Sequence, residues 1–178
     1  MNLKLKRTPG IYLVGFMGCG KSTVGKKLAA ELGWTFVDLD EDIEAEQGMS
    51  IAQIFAEKGE AEFRAIESRL LAERIQQIRS LCPLVLALGG GAFVQPQNLA
   101  LILANGVSIW LDCPWEKIKQ RVAENNDRPL ARDPERFEEL FRQRRAAYAQ
   151  ADYRIEIRSD DPVLVVQEIL AIPGLFDR

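Results

Sequence analysis

Gly15-Phe16-Met17-Gly18-Cys19-Gly20-Lys21-Ser22 lies between two segments of different periodicity. Before it, Ile11-Tyr12-Leu13-Val14 is short, apolar and partly β-branched, the pattern of a strand buried on both faces. After it, Lys21 to Leu32 carries apolar residues at helical spacing, and Gly33 supplies a stop. The octet has the form G-x-x-x-x-G-K-S. Its glycines let the backbone wrap an anion with successive N–H groups turned inward, and the following helix presents its positive end to the same point. In such a loop Lys21 reaches the β- and γ-phosphates of a nucleoside triphosphate, and the Ser22 hydroxyl can ligate Mg²⁺. A plain glycine turn is the alternative, and the strand-loop-helix context weighs against it. ATP with Mg²⁺ is therefore the expected ligand.

Outward from this loop, strand-like and helix-like segments alternate. Thr35 to Asp40 reads as a second strand ending in acids, and helical patterns follow from about Glu41 to Glu57, broken at Gly48. Glu60 to Ser80 reads as one long amphipathic helix. Leu84 to Leu88 is a third strand, followed by Gly89-Gly90-Gly91. A helix opens at Pro96 and closes at Gly106. Val107 to Leu111 is a fourth strand, a helix runs from Pro114 to about Glu124, and Asn125 to Pro134 is a polar loop with two prolines. Glu135 to Ala149 is helical, Arg154 to Ile157 a fifth strand, and Pro162 to Ile172 a closing helix. This alternation predicts an α/β fold with a parallel sheet covered on both faces and ligands at the carboxyl ends of its strands. Residues 1–178 read as a single domain without repeats or linkers.

Composition narrows the chemistry. The 178 residues are 47% hydrophobic and 28% charged with a net charge of -3, so neither nucleic-acid nor membrane-surface binding is expected, and no segment suits a membrane span or signal peptide. Three widely spaced cysteines, Cys19, Cys82 and Cys113, fit reduced thiols in a reducing compartment. There is no histidine, which removes a His base, a Ser-His-Asp triad and His-ligated metals, and leaves proton transfer to a carboxylate.

Several residues outside the loop are candidates for that chemistry. Alternation at a strand end would point Asp38 and Asp40 to one face, where one supports Mg²⁺ through water and the other receives a substrate hydroxyl. Their alternative role is to cap the next helix. The three glycines allow close backbone approach to a ligand, or simply a tight turn. Arg64, and Arg144 within Arg142-Gln143-Arg144-Arg145, offer planar forks for a carboxylate, or are solvated helix residues. Arg128, in Arg128-Pro129-Leu130, can close over a triphosphate, and Arg121 can stack on adenine; ordinary surface positions are the alternatives.

Together these pieces resemble shikimate kinases over nearly the whole chain. The resemblance is carried by the phosphate loop, Asp38-Leu39-Asp40, Gly59-Glu60 with Phe63-Arg64, Gly89-Gly90-Gly91, Arg128-Pro129-Leu130 and an Arg four before Tyr148. It implies a three-layer P-loop fold with a five-stranded parallel sheet, a helical substrate-binding region at about 38–68 and a lid at about 118–135. The implied activity is transfer of the ATP γ-phosphate to the 3-hydroxyl of shikimate on the chorismate route to aromatic amino acids, in a monomeric cytoplasmic enzyme, or a plastid one if a transit peptide has been removed. Residue by residue, it implies that Gly18, Cys19, Gly20, Lys21, Ser22 and Thr23 hold ATP, with Arg121 at the adenine. Lys21 and Arg128 would stabilise the transferring phosphoryl group, and Asp40 would be catalytic and bind shikimate hydroxyls. Arg64 and Arg144 would clamp its carboxylate, Gly90 would contact it, and Ser22 and Asp38 would serve Mg²⁺. The chain departs from the family pattern in three places. Arg144-Arg145-Ala146-Ala147-Tyr148 replaces Arg-x-Pro-Leu-Tyr, so Arg144 is chosen by counting back from Tyr148. The second adenine contact falls in a loosely matching segment, with Arg158 as a candidate. Cys19 stands where a small residue is usual. A gluconate- or nucleotide-directed kinase, and a nucleotide-binding protein without catalysis, are the alternatives; a GTPase is disfavoured by the absence of an Asn-Lys-x-Asp motif.

Overall fold

The computed structural model describes residues 4–5, 10–80, 82–124 and 133–177. Five parallel strands form the sheet: β2 (Gly10–Val14), β3 (Thr35–Asp38), β4 (Leu84–Ala87), β5 (Val107–Asp112) and β6 (Tyr153–Glu156), in the order β3-β4-β2-β5-β6. The three central strands are buried at every position, because apolar residues point to both faces and helices cover both. A two-residue antiparallel pair, β1 (Lys4–Leu5) with β7 (Phe176–Asp177), joins the two ends of the chain; the sequence pattern does not announce it.

The helices are α1 (Lys21–Leu32), α2 (Leu39–Gln47), α3 (Ile51–Arg79), α4 (Pro96–Ala104), α5 (Trp115–Glu124), α6 (Pro134–Tyr148) and α7 (Pro162–Leu170). α1 packs on β3, β4 and α7, whereas α4 packs on β5 and α3. α1 ends as expected, with Gly33 in a left-handed cap.

One expected boundary is corrected: β3 stops at Asp38, so Leu39 and Asp40 belong to α2 rather than to the strand. The first segment of α3 begins at Ile51, where Ser50 and Gln53 form a reciprocal capping box. Inside α3, Gly59 has φ 81° and ψ 170°, which interrupts the helix and separates two helical segments. A Cβ there would meet nothing within 4 Å. The requirement for glycine is therefore conformational, since this region of φ/ψ space is closed to other residues. Gly59→Ala is expected to cost about 1–3 kcal/mol through backbone strain alone. Thermal denaturation checks this, and an unchanged Tm would show that the break does not require glycine.

Candidate active site

The phosphate loop is the connection between β2 and α1. Gly20 caps α1 without a side-chain hydrogen bond, and no acidic residue stands in the first turn. The orphan amides and the positive helix end are thus left for an anion. Lys21 Nζ folds over the loop and donates to the carbonyls of Gly15 at 2.9 Å and Phe16 at 3.1 Å, with Cys19 Sγ at 3.8 Å. Its partners are main-chain oxygens rather than a carboxylate, so its charge stays uncompensated at the loop. The loop opens into a cavity of about 400 Å³ lined by Met17 to Val24, Asp38, Asp40, Leu88, Gly90 and Arg121, with Ile157, Ser159, Asp160 and Pro162 completing the wall.

On the acceptor side, Asp38 does two things. Its Oδ1 accepts from the Asp40 amide at 3.0 Å, capping α2, and its Oδ2 accepts from Ser22 Oγ at 2.5 Å. The capping alternative is therefore realised together with the contact to Ser22. Asp38 and Asp40 reach the same cavity through the first helical turn and not through strand alternation. A hydroxyl and a carboxylate oxygen side by side are hard donors suited to Mg²⁺, which binds few protein groups and keeps several waters. Burial raises the Asp40 carboxyl to about 6; Asp38 and Glu44 push the same way, against Lys21 and Arg64.

The glycine turn after β4 is what brings the acceptor residues together. A Cβ on Gly89 would overlap the Asp40 carboxylate, one on Gly90 would stand 2.9 Å from Arg144 Nη1, and one on Gly91 would stand 2.5 Å from both terminal nitrogens of Arg64. Each of the three consecutive glycines thus makes room for one charged side chain. Arg64 stacks 5.1 Å from the Phe63 ring and donates to Glu67 at 2.8 Å. Arg144 lies 5.7 Å from the Phe16 ring. Tyr148 donates its hydroxyl to the Gly90 carbonyl at 2.5 Å, which fixes the turn from the α6 side.

Glu67, which sequence reasoning missed, is 1% exposed. Burial raises its carboxyl, while Arg64 and Arg144 lower it and Asp40 raises it further, so it belongs to the same electrostatic cluster. Its signal in the sequence is a carboxylate three residues after Arg64, on the face that carries Leu70 and Leu71.

Arg121 donates to the Gly18 carbonyl at 2.9 Å and to Asp160 at 2.7 Å, which holds its guanidinium at the cavity wall. Arg158 pairs with Glu156 and lines a separate surface hollow with Arg154 and Glu168, whereas Ser159, Asp160 and Pro162 stand at the cavity. Arg145 turns away from the glycine turn to Asp112, which leaves Arg144 as the member of the pair at Gly90. Cys19 and Cys113 are buried free thiols, and burial raises Cys113 to about 11. Arg128 lies outside the described residues, as does the lid beyond α5.

A glycine-rich anion loop opening a helix, a sheet of this order, and acids and arginines gathered at the strand ends define a P-loop kinase for a small acceptor. The family model for shikimate kinase matches residues 17–172. A shikimate kinase from Persephonella marina is 46% identical, the match covering 90% of this chain and 96% of that one. One from Synechococcus elongatus is 44% identical, covering 91% and 85% respectively. The solved shikimate kinase from Acinetobacter baumannii, in complex with shikimate, superposes with a TM-score of 0.84 at 37% identity, covering 92% of this chain and 91% of that one. The chain belongs to the shikimate kinase family.

The raised Asp40 carboxyl has a consequence for stability. Its folded value, about 6, exceeds the ordinary 3.8, so between these values the folded chain holds more protons and loses stability as pH rises. Above pH 6 the penalty is present in full, and below 3.8 it vanishes. Asp40→Asn is expected to raise Tm at pH 8 in the absence of ligands, with the gain disappearing by about pH 4. Melting curves across this range test it; a gain independent of pH would show that ionisation is not its source.

Proposed function

We propose a division of labour among these residues for the shikimate kinase reaction, in which the γ-phosphate of ATP passes to the 3-hydroxyl of shikimate and ADP leaves. The observation that carries it is the glycine turn, where Asp40, Arg144 and Arg64 stand against three consecutive glycines beside the phosphate loop. Shikimate carries one carboxylate and several hydroxyls. The guanidiniums of Arg64 and Arg144 bind the carboxylate, and the Gly90 backbone contacts the ring substituents. Asp40 accepts the proton of the attacking hydroxyl, at its carboxylate oxygens, as the oxygen bonds to phosphorus.

The amides of Gly18 to Thr23 hold the triphosphate, and Lys21 moves from its carbonyl partners to the phosphoryl oxygens. Ser22 and Asp38 would hold Mg²⁺, which when bound would supply neutralisation of the phosphate charge. Arg121 presents its plane to the adenine, and Arg128 belongs to the phosphoryl-stabilising set by family resemblance. Among the described residues no helix is long and apolar enough to cross a membrane.

Two measurements test the assignment. In a coupled assay with Mg²⁺, ATP and shikimate, Arg64→Ala and Arg144→Ala should each raise the Michaelis constant for shikimate at least tenfold and leave that for ATP nearly unchanged. Unchanged shikimate constants would remove the carboxylate clamp. In the free enzyme, kcat/KM should rise with pH through about 6 as Asp40 ionises, and Asp40→Asn should abolish both the rise and most of the turnover. A profile flat from pH 5 to 8 would exclude an ionised Asp40 as the proton acceptor.

A further inference from the structure

Asp112 ends β5, is 5% exposed and does not itself line the cavity, although its carbonyl accepts from the amide of Ile157 in the cavity wall at 2.9 Å. Arg145 on α6 grips it with a two-pronged contact, Nη1 to Oδ1 at 2.5 Å and Nη2 to Oδ2 at 3.0 Å. Arg154 on β6 adds Nε and Nη2 to Oδ2 at 2.9 and 2.5 Å. Both guanidiniums stack on the Trp110 ring, at 4.9 and 5.1 Å, and Arg145 also lies 5.5 Å from Phe141. One buried carboxylate therefore takes three charge-assisted hydrogen bonds and a further ion-pair contact, and anchors two cations on one indole.

Net stability is a weak explanation for such a cluster, because desolvation offsets most of its Coulomb energy. Its other effect is directional. Successive helix residues are about 100° apart, so fixing Arg145 on the sheet fixes the azimuth of α6 and with it the starting point of Arg144. A second pin sits one turn on, where Tyr148 donates to the Gly90 carbonyl. Arg144 immediately precedes the first pin and lies one turn before Tyr148 on the same helix face, its guanidinium within reach of Gly90.

The geometry points to Asp112 as a positioning residue for shikimate recognition: through Arg145 it sets the register of α6 that delivers Arg144 to the acceptor site. This rests on the assignment of Arg144 to the shikimate carboxylate. Asp112 touches neither substrate and is not catalytic.

Equilibrium binding of shikimate and of ATP to Asp112→Asn, Arg145→Met, Arg144→Met and the double variant Asp112→Asn/Arg144→Met tests it. Asp112→Asn and Arg145→Met should each weaken shikimate binding about tenfold while ATP binding stays within about twofold, since small misplacement of a binding group is costly. In the Arg144→Met background, Asp112→Asn should weaken shikimate no further, although it lowers Tm as much as in the parent. That non-additivity is a readout that a merely structural role would not give. Additive losses, equal losses of both ligands, or unchanged shikimate affinity overturn the inference. If Arg144→Met itself leaves shikimate binding intact, the clamp assignment falls and this inference falls with it; if Arg144→Met acts and Asp112→Asn does not, only the inference falls. Should Asp112→Asn fail to fold, Arg154→Met, which removes one of the two cations, and Arg145→Lys, which removes only the fork, give the same comparison.

Discussion

Three charged side chains approach three consecutive α-carbons, and they can do so because Gly89, Gly90 and Gly91 carry no side chains. Everything on the acceptor side of the site depends on that space. The turn follows β4, whose neighbours in the sheet are β3 and β2. β3 ends at Asp38, which caps the helix bearing Asp40, and β2 runs into the phosphate loop. Adjacent strands are about 4.8 Å apart, so donor loop, glycine turn and acidic cap fall within about 10 Å across three strand ends. A side chain at any of the three glycines would displace a different member of the acceptor set.

Much of this was legible in the sequence, for reasons that differ by residue. The phosphate loop and α1 were readable because their determinants are local: a buried strand, positive-φ glycines and a left-handed cap at Gly33 all act within a few residues. Asp38 and Asp40 were readable as a pair but not in their geometry. Whether β3 continues to Asp40 depends on the Asp38 carboxylate capturing the Asp40 amide, and an alternating pattern fits both outcomes. The helix carrying Arg64 was readable from Glu60 because Gly59 breaks the helix just before it. Arg144 and Arg145 were not separable by pattern, since the difference between them lies in Asp112, Trp110 and Gly90, all distant in sequence. Glu67 carried only the signal of a carboxylate on an apolar helix face, and Asp160 none stronger than that of any charged loop residue.

Cation placement follows one rule across the site. Arg64, Arg144 and Arg145 each lie beside an aromatic ring, those of Phe63, Phe16 and Trp110 respectively. A ring face holds a guanidinium in place without using its in-plane donors. For Arg144 that leaves donors available to an incoming carboxylate. For Arg145 the same stacking directs the donors to Asp112, and the result is an anchor instead of a binding group. Arg64 is intermediate: Glu67 and Glu60 take its terminal nitrogens, and its Nε has no partner.

The distribution of satisfied and unsatisfied polar atoms separates anchor from site. Asp112 is saturated by two arginines. By contrast, the buried side-chain atoms without hydrogen-bond partners among the described residues are Arg64 Nε, Glu67 Oε1 and Ser68 Oγ, all within about one turn of α3. Unpaired buried polar atoms cost about 1–3 kcal/mol each, and folding alone would select against concentrating them. They adjoin Asp40, whose ionised form is itself disfavoured by burial. The two clusters therefore differ in kind: the carboxylate of Asp112 is saturated, whereas polar atoms around Arg64 are left without partners.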